Sequence, residues 1–177
     1  MKDRDFDVVV IGSGLGGLES ALILARDGYK VCVLEKNHQL GGTLQVFSRD
    51  KTLFDTGVHY IGGLDPGQNL HRYFSYMGIM DKLKLRRMDP EGFDRISFGG
   101  DPQEYPHAMG YDAFARRLEE FFPKEREGIR SYCAALQDVC RKFPLYNLVY
   151  SEERQWDDEA LTLNAREHIA FFTQDRK

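Results

Sequence analysis

Cysteine is scarce in this 177-residue chain: Cys32, Cys133 and Cys140 are the whole complement, and none stands in a C-x-x-C spacing. So sparse and odd-numbered a set excludes a disulfide framework and a structural zinc site, and it points to a reducing compartment. A positive excess is also lacking, with 24 Lys and Arg against 28 Asp and Glu and a net charge of −4. Nothing in that balance draws phosphate backbones, so no nucleic-acid partner is expected. Dense apolar stretches end well short of the ~18 residues that cross a bilayer. No apolar segment with a small-residue cleavage site precedes the first strand, so a secretory leader is not expected. The expected setting is cytoplasmic, with membrane association limited to the surface. Internal repeats and low-complexity tracts are missing too. What remains, 42% apolar and 29% charged residues, is ordinary globular composition at a length that suits about one domain.

The opening residues carry the strongest pattern. Asp7 to Ile11 is a β-branched run closed by glycine, which reads as a strand buried on both faces. From Gly14 to Asp27, Leu15, Leu18, Leu22 and Ala25 recur at helical steps, and Gly28 stands where a C-terminal cap is wanted. Lys30 to Leu34 is a second β run ending in Glu35. The first 35 residues therefore spell β-α-β, with parallel neighbouring strands joined right-handedly. Thr43 to Ser48 and Thr52 to Val58 predict a hairpin around Arg49-Asp50-Lys51, and Leu70, Tyr73, Phe74 and Met77 predict a helix. Arg95 to Phe98 and Gln103 to Tyr105 predict a second hairpin through Gly99-Gly100-Asp101-Pro102. Phe114, Leu118, Phe121 and Phe122 line one further helix. Ile129, Tyr132, Cys133, Leu136, Val139, Cys140 and Phe143 line the next, with Pro123 and Pro144 as punctuation. Acidic residues crowd from Glu152 to Glu159 around Trp156, before a weakly helical Ala160 to Phe172.

The fold class is accordingly α/β, with a Rossmann-type βαβ amino-terminal portion followed by β-hairpins and helices. The division expected is 1–62 for the dinucleotide-binding portion and its hairpin, 63–150 for a partial substrate or cap region, and 151–177 for an acidic tail. A doubly wound sheet needs more than two parallel strands, and no third β-α unit of that kind follows. Strands supplied from outside these residues are the expected completion.

Gly12, Gly14 and Gly17 form G-x-G-x-x-G between the predicted strand and helix. The first glycine permits the tight turn, the second a close approach to pyrophosphate, and the third close helix-strand packing, with the helix N-terminus facing the anion. Glu35 lies twenty-three positions beyond Gly12, near the ~20 expected of a carboxylate that accepts hydrogen bonds from an adenosine ribose. The alternative is a plain glycine-rich turn. Gly62 to Gly67 is no P-loop, because Gln68 stands where Lys and a hydroxyl residue would be needed. Leu40-Gly41-Gly42 is either a solvent turn or a second approach to the dinucleotide.

Val8 to Glu35, Leu40-Gly41-Gly42 and Phe54-Asp55-Thr56-Gly57-Val58-His59-Tyr60-Ile61-Gly62 together resemble the amino-terminal part of the phytoene desaturase, carotenoid isomerase and retinol saturase group of flavoproteins. The Phe54 to Gly62 string is most similar to the retinol saturase branch, and Tyr111 and the aromatic helix through Phe122-Pro123 continue the likeness. The resemblance implies FAD as cofactor, a nicotinamide coenzyme, NAD or NADP, as candidate electron source, and a hydrophobic polyene as substrate. It implies that Gly12, Ser13, Gly14, Gly16, Gly17, Glu35, Lys36, Gly41, Gly42, Thr43 and Gly57 line the cofactor. It also makes His59 and Tyr60 the candidate proton donors beside the flavin, the alternative being an aromatic pair in the core, with Asp55 only fixing the hairpin. Desaturases of the group commonly carry Arg after the glycine pair, so Thr43 favours saturase over desaturase chemistry. Family members are considerably longer, which implies an amino-terminal portion whose carboxy-terminal complement lies elsewhere; the alternative is a truncated nucleotide-binding module without turnover.

The other reactive residues read as bland. His38, His71, His107 and His168 are scattered without a ligand pair, and Cys133 and Cys140 share a helical face as core. Lys82, Lys84, Arg86 and Arg87 form a basic run that is a solvated face in the simplest reading and a peripheral membrane or cofactor-phosphate contact in the other.

Overall fold

The computed structural model describes residues 5–143, 146, 148 and 161–173. The chain divides into two compact units, Met1–Leu83 and Lys84–Lys177. Pro144, the acidic run from Glu152 to Glu159 and Trp156 lie outside the described residues.

The first unit opens with the βαβ arrangement. Strand β1 (Val8–Ile11) pairs in parallel with β2 (Val31–Leu34), from Val8 opposite Val31 to Ile11 opposite Leu34. Helix α1 (Leu15–Arg26) crosses between them. It ends as its glycine requires: Gly28 adopts φ +94° and donates its N–H to the Ala25 carbonyl, while Tyr29 donates to Leu24, both at 3.1 Å. That is the two-bond Schellman closure, which an L-residue at Gly28 would strain.

One sequence expectation fails here, that of a β1 covered on both faces, and α1 packs through small residues. On α1 Leu15 and Leu18 are exposed, at 52% and 38%, Leu22 is half-buried, and the buried position is Ala21. Gly17 and Ala21 are four apart and so share one side of the helix, where small residues let it approach β1 closely. β1 is not buried on both faces, since Val9 and Ile11 are exposed. Among the described residues its sheet has two strands, too few to sandwich it between helical layers.

A 3₁₀ turn (Gly42–Leu44) leads into the hairpin of β3 (Val46–Arg49) and β4 (Thr52–Asp55). The strands are shorter than the sequence pattern suggests, and Thr43 belongs to the turn rather than to a strand. Asp50 and Lys51 both take positive φ, as a two-residue hairpin loop demands, and Phe47 stacks on Phe54 with centroids 5.2 Å apart. Helix α2 (Asn69–Met77) follows. It is tied back to α1 by Arg26, whose guanidinium lies 4.5 Å from the Tyr76 ring centroid and donates to the Tyr76 carbonyl.

The second unit is built on the hairpin β5 (Asp94–Ser97) and β6 (Glu104–His107), paired antiparallel, and the helices α3 (Tyr111–Phe121) and α4 (Arg126–Lys142). Ala115, Ile129 and Cys133 form its core, with Tyr111, Phe114, Leu118 and Phe122 packed against them. Tyr105 of β6 stacks on Phe122 and meets Phe121 edge-on, which fixes the hairpin to α3. Glu119 is buried on α3 because Arg126 and Arg130 reach its two oxygens, at 3.2 and 2.6 Å. Burial of a carboxylate is tolerable only with such pairing. A short helix α5 (Ala165–Ala170) is capped by the Asn164 side chain, which accepts from Arg166 and Glu167 N–H groups; the weak helix expected from 160 to 172 is interrupted at residues 163 and 164, and residue 160 lies outside the described residues. Among the described residues no helix is long and apolar enough to cross a membrane.

Candidate dinucleotide site

Every residue expected to line the cofactor lies in the first unit, and most of them are drawn into one connected turn system. Gly12 leaves β1 with φ +100°, and its N–H donates to the Leu34 carbonyl at 2.7 Å, so the turn is anchored to the end of the neighbouring strand. A Cβ at Gly17 would overlap the Gly12 carbonyl oxygen. Glycine there is an internal requirement of strand and helix. Gly14 and Gly16 differ, because a Cβ at either would meet no atom within 4 Å. Among the described residues no neighbouring atom demands glycine at those two places, whereas a ligand whose phosphates approach the backbone at the helix N-terminus would.

The Leu40-Gly41-Gly42 segment is not a solvent turn. Gly41 donates its N–H to the Ser13 carbonyl at 3.0 Å and to the Ser13 hydroxyl at 3.3 Å. A Cβ on Gly42 would lie 3.0 Å from the Gly14 Cα, so this segment returns onto the glycine turn at a separation only glycine accepts comfortably. Gly57 in turn sits against Thr43, where a Cβ would come within 3.1 Å of the Thr43 carbonyl oxygen. The turn after β4 thereby reaches the same cluster.

Glu35 sits at the end of β2 beside that turn. Its Oε2 accepts from the Ser13 hydroxyl at 2.7 Å and the Ser13 N–H at 2.9 Å, and its Oε1 accepts from the Asn37 N–H at 2.9 Å. These bonds favour the ionised form, first the Ser13 hydroxyl and then the N–H groups of Asn37, Ser13 and Lys36, and they hold the carboxyl down at about 2, from an ordinary 4.5. A carboxylate offers about four acceptor positions, so room remains for ribose hydroxyls. Lys36 itself is exposed, and its backbone, not its side chain, bears on Glu35. The Asn37 contact escaped sequence reasoning. Its signal was present as an acid two residues before an amide N–H at a strand end, a spacing common to many ordinary turns.

His59 and Tyr60 lie in the irregular segment after β4, both exposed. His59 Nδ1 is 3.7 Å from Asp55 Oδ2, four residues earlier. Asp55 therefore has a partner beyond its own hairpin. Of the remaining histidines, His107 lies between the rings of Phe93 and Phe114, each 4.8 Å away, and His168 meets Phe172. Among the described residues no group of three or more His, Cys, Asp or Glu side chains comes together as a metal site. Cys133 is buried in the core, where desolvation pushes its thiol up, and Tyr111, desolvated beside the Cys140 sulfur 3.9 Å away, is pushed up to about 12.

A family profile described as an NAD(P)-binding Rossmann-like domain matches residues 10–77, which brackets this turn system. The chain is 37% identical to all-trans-retinol 13,14-reductase of Homo sapiens over 144 residues, 78% of this chain and 23% of that protein. A Danio rerio protein named inactive all-trans-retinol 13,14-reductase is 50% identical over 129 residues, 67% of this chain and 21% of its own length. Carotenoid 3,4-desaturase of Haloarcula japonica is 34% identical over 158 residues, 86% of this chain and 30% of that enzyme. The chain thus spans between a fifth and a third of the length of these relatives. The residues gathered here suit the pyrophosphate and ribose of a dinucleotide cofactor.

Proposed function

We propose, from the premise that this chain belongs to the carotenoid and retinol oxidoreductase group, that its first unit holds FAD and serves the reduction of a double bond in a conjugated, retinoid-like polyene. The observation that carries this reading is the return of Gly41-Gly42 onto the Ser13-Gly14 turn. In the flavoproteins that this chain resembles, a second glycine segment of this kind accompanies a cofactor that continues past the pyrophosphate into a ribityl arm, whereas an NAD site does not need it. When bound, FAD supplies the hydride chemistry. Gly12, Gly14, Gly16 and Gly17 bring the helix N-terminus to the pyrophosphate, Glu35 accepts from the adenosine ribose, and Gly41, Gly42, Thr43 and Gly57 form the wall on the ribityl side. His59, with Nδ1 3.7 Å from Asp55 Oδ2, is the candidate proton carrier through Nε2, and the phenol of the adjacent Tyr60 is the other candidate donor. The electron source is a nicotinamide coenzyme, NAD or NADP. Lys82, Lys84, Arg86 and Arg87 offer a peripheral contact with the membrane in which so apolar a substrate dissolves, and the setting is otherwise cytoplasmic.

The test is a flavin-fluorescence titration of the purified chain. FAD is expected to bind weakly to this chain alone, and Glu35→Ala to weaken it by about a further tenfold or more, since a hydrogen bond to a charged group is lost. Absence of flavin uptake, or an unchanged titration in Glu35→Ala, would overturn the assignment. A second reading, a nucleotide-binding module without turnover, is favoured by the 50% identity to a relative named inactive. It predicts flavin uptake with no consumption of all-trans-retinol by the dithionite-reduced protein.

A further inference from the structure

We propose that Ser13 is a positioning residue for the adenosine ribose: it pins the Glu35 carboxylate to the glycine turn and couples both to the returning Gly41-Gly42 segment. The inference rests on the dinucleotide reading of the site and names a residue that the fingerprint leaves free, since the position after the first glycine tolerates any side chain. Ser13 is fully buried. Its hydroxyl and its N–H both donate to Glu35 Oε2, at 2.7 and 2.9 Å, while its carbonyl and its hydroxyl oxygen both accept from the Gly41 N–H, at 3.0 and 3.3 Å. One small residue thus touches the turn, the acid and the second glycine segment at once.

The hydroxyl matters because a glutamate is long. Left alone, its side chain would have to be ordered when the ribose arrives, and that conformational cost would be taken from binding. Ser13 and the Asn37 N–H hold one oxygen each, so the carboxylate waits in place and charged. Alanine at 13 would keep the backbone N–H bond and remove the shorter hydroxyl bond. Glycine or alanine there would satisfy the fingerprint equally well, and neither would supply the hydroxyl bond to Glu35.

The experiment is a double-mutant cycle read by calorimetric titration of the purified chain with ADP-ribose. Ser13→Ala is expected to weaken binding about tenfold in the native background and little in a Glu35→Ala background, because its effect runs through Glu35. Equal losses in the two backgrounds would overturn the proposal while leaving the cofactor site standing. No uptake of ADP-ribose by the unaltered chain would overturn the dinucleotide reading and this inference with it. An independent readout is the Glu35 carboxyl carbon by NMR, whose titration midpoint should rise from about 2 toward the ordinary 4.5 in Ser13→Ala. An unmoved midpoint counts against the inference even where ligand binding changes. Ser13→Cys, similar in size and a weak donor, gives the same comparison if the alanine variant does not fold.

Discussion

Glu35 shows how a single side chain links the chemistry of the site to the stability of the fold. Its carboxyl is held at about 2 in the folded chain against an ordinary 4.5, by the Ser13 hydroxyl above all. A depressed folded value means that the ionised form stabilises the native state above the unfolded value. That contribution is complete above 4.5 and drains away as pH falls from 4.5 toward 2. Urea unfolding followed across that window should therefore show a steeper loss of stability in the native chain than in Glu35→Gln, which has no proton to take up. Parallel curves would mean that the Ser13 and Asn37 bonds do not persist in solution. Asp55 and His59 make a looser pair, exposed and 3.7 Å apart, so their contribution to stability is small and their interest lies in the orientation of the imidazole.

Strand and helix meet at β1 and α1 through the smallest residues available. The helix comes nearest to β1 at Gly17, where a Cβ would overlap the Gly12 carbonyl, and Ala21 one turn on is its buried position. Gly17→Ala is expected to push α1 from β1 and to destabilise the first unit by about 1–3 kcal/mol, as overpacking does. Thermal unfolding checks this, and dinucleotide affinity should fall with it, since the turn that carries Gly14 hangs from the same junction. Gly14→Ala makes the contrast: with nothing within 4 Å of its Cβ, it should leave melting nearly unchanged and weaken the ligand alone. In the second unit the corresponding junction is aromatic, Tyr105 against Phe121 and Phe122, which needs volume where the first unit needs its absence.

For the molecule entire, the exposed apolar surface is the dominant feature. Ile11 is 87% exposed, Leu53 73% and Leu40 61%, all in the first unit, and Phe171 is 84% exposed in the second. Together with the edges that the two-stranded parallel sheet leaves open among the described residues, such surface favours association. Sedimentation of the purified chain is expected to show concentration-dependent self-association, reduced by agents that cover apolar surface. A monomer at all concentrations would show that these side chains are spaced too widely to act as patches. The net charge of −4 opposes association only weakly at physiological salt, where the Debye length is about 8 Å.

Local chemistry settled much in advance. Gly12, Gly14, Gly17 and Glu35 announced the βαβ turn because backbone reach and helix-terminus electrostatics act over a few residues, and Gly28 announced the end of α1 for the same reason. The two hairpins and the helices around Phe114 and Ile129 were equally plain from period and turn chemistry. Local pattern misjudged what depends on neighbours: the β-branched run of β1 reads as buried on both faces, yet its sheet has one other strand among the described residues, and Val9 and Ile11 stay exposed. Only the tertiary structure could bring Gly41-Gly42 onto Gly14, set Thr43 against Gly57, and join Ser13 to Glu35 across twenty-two residues. Such contacts close between segments far apart in the chain, and no local pattern encodes which distant backbone a glycine has been kept small to admit.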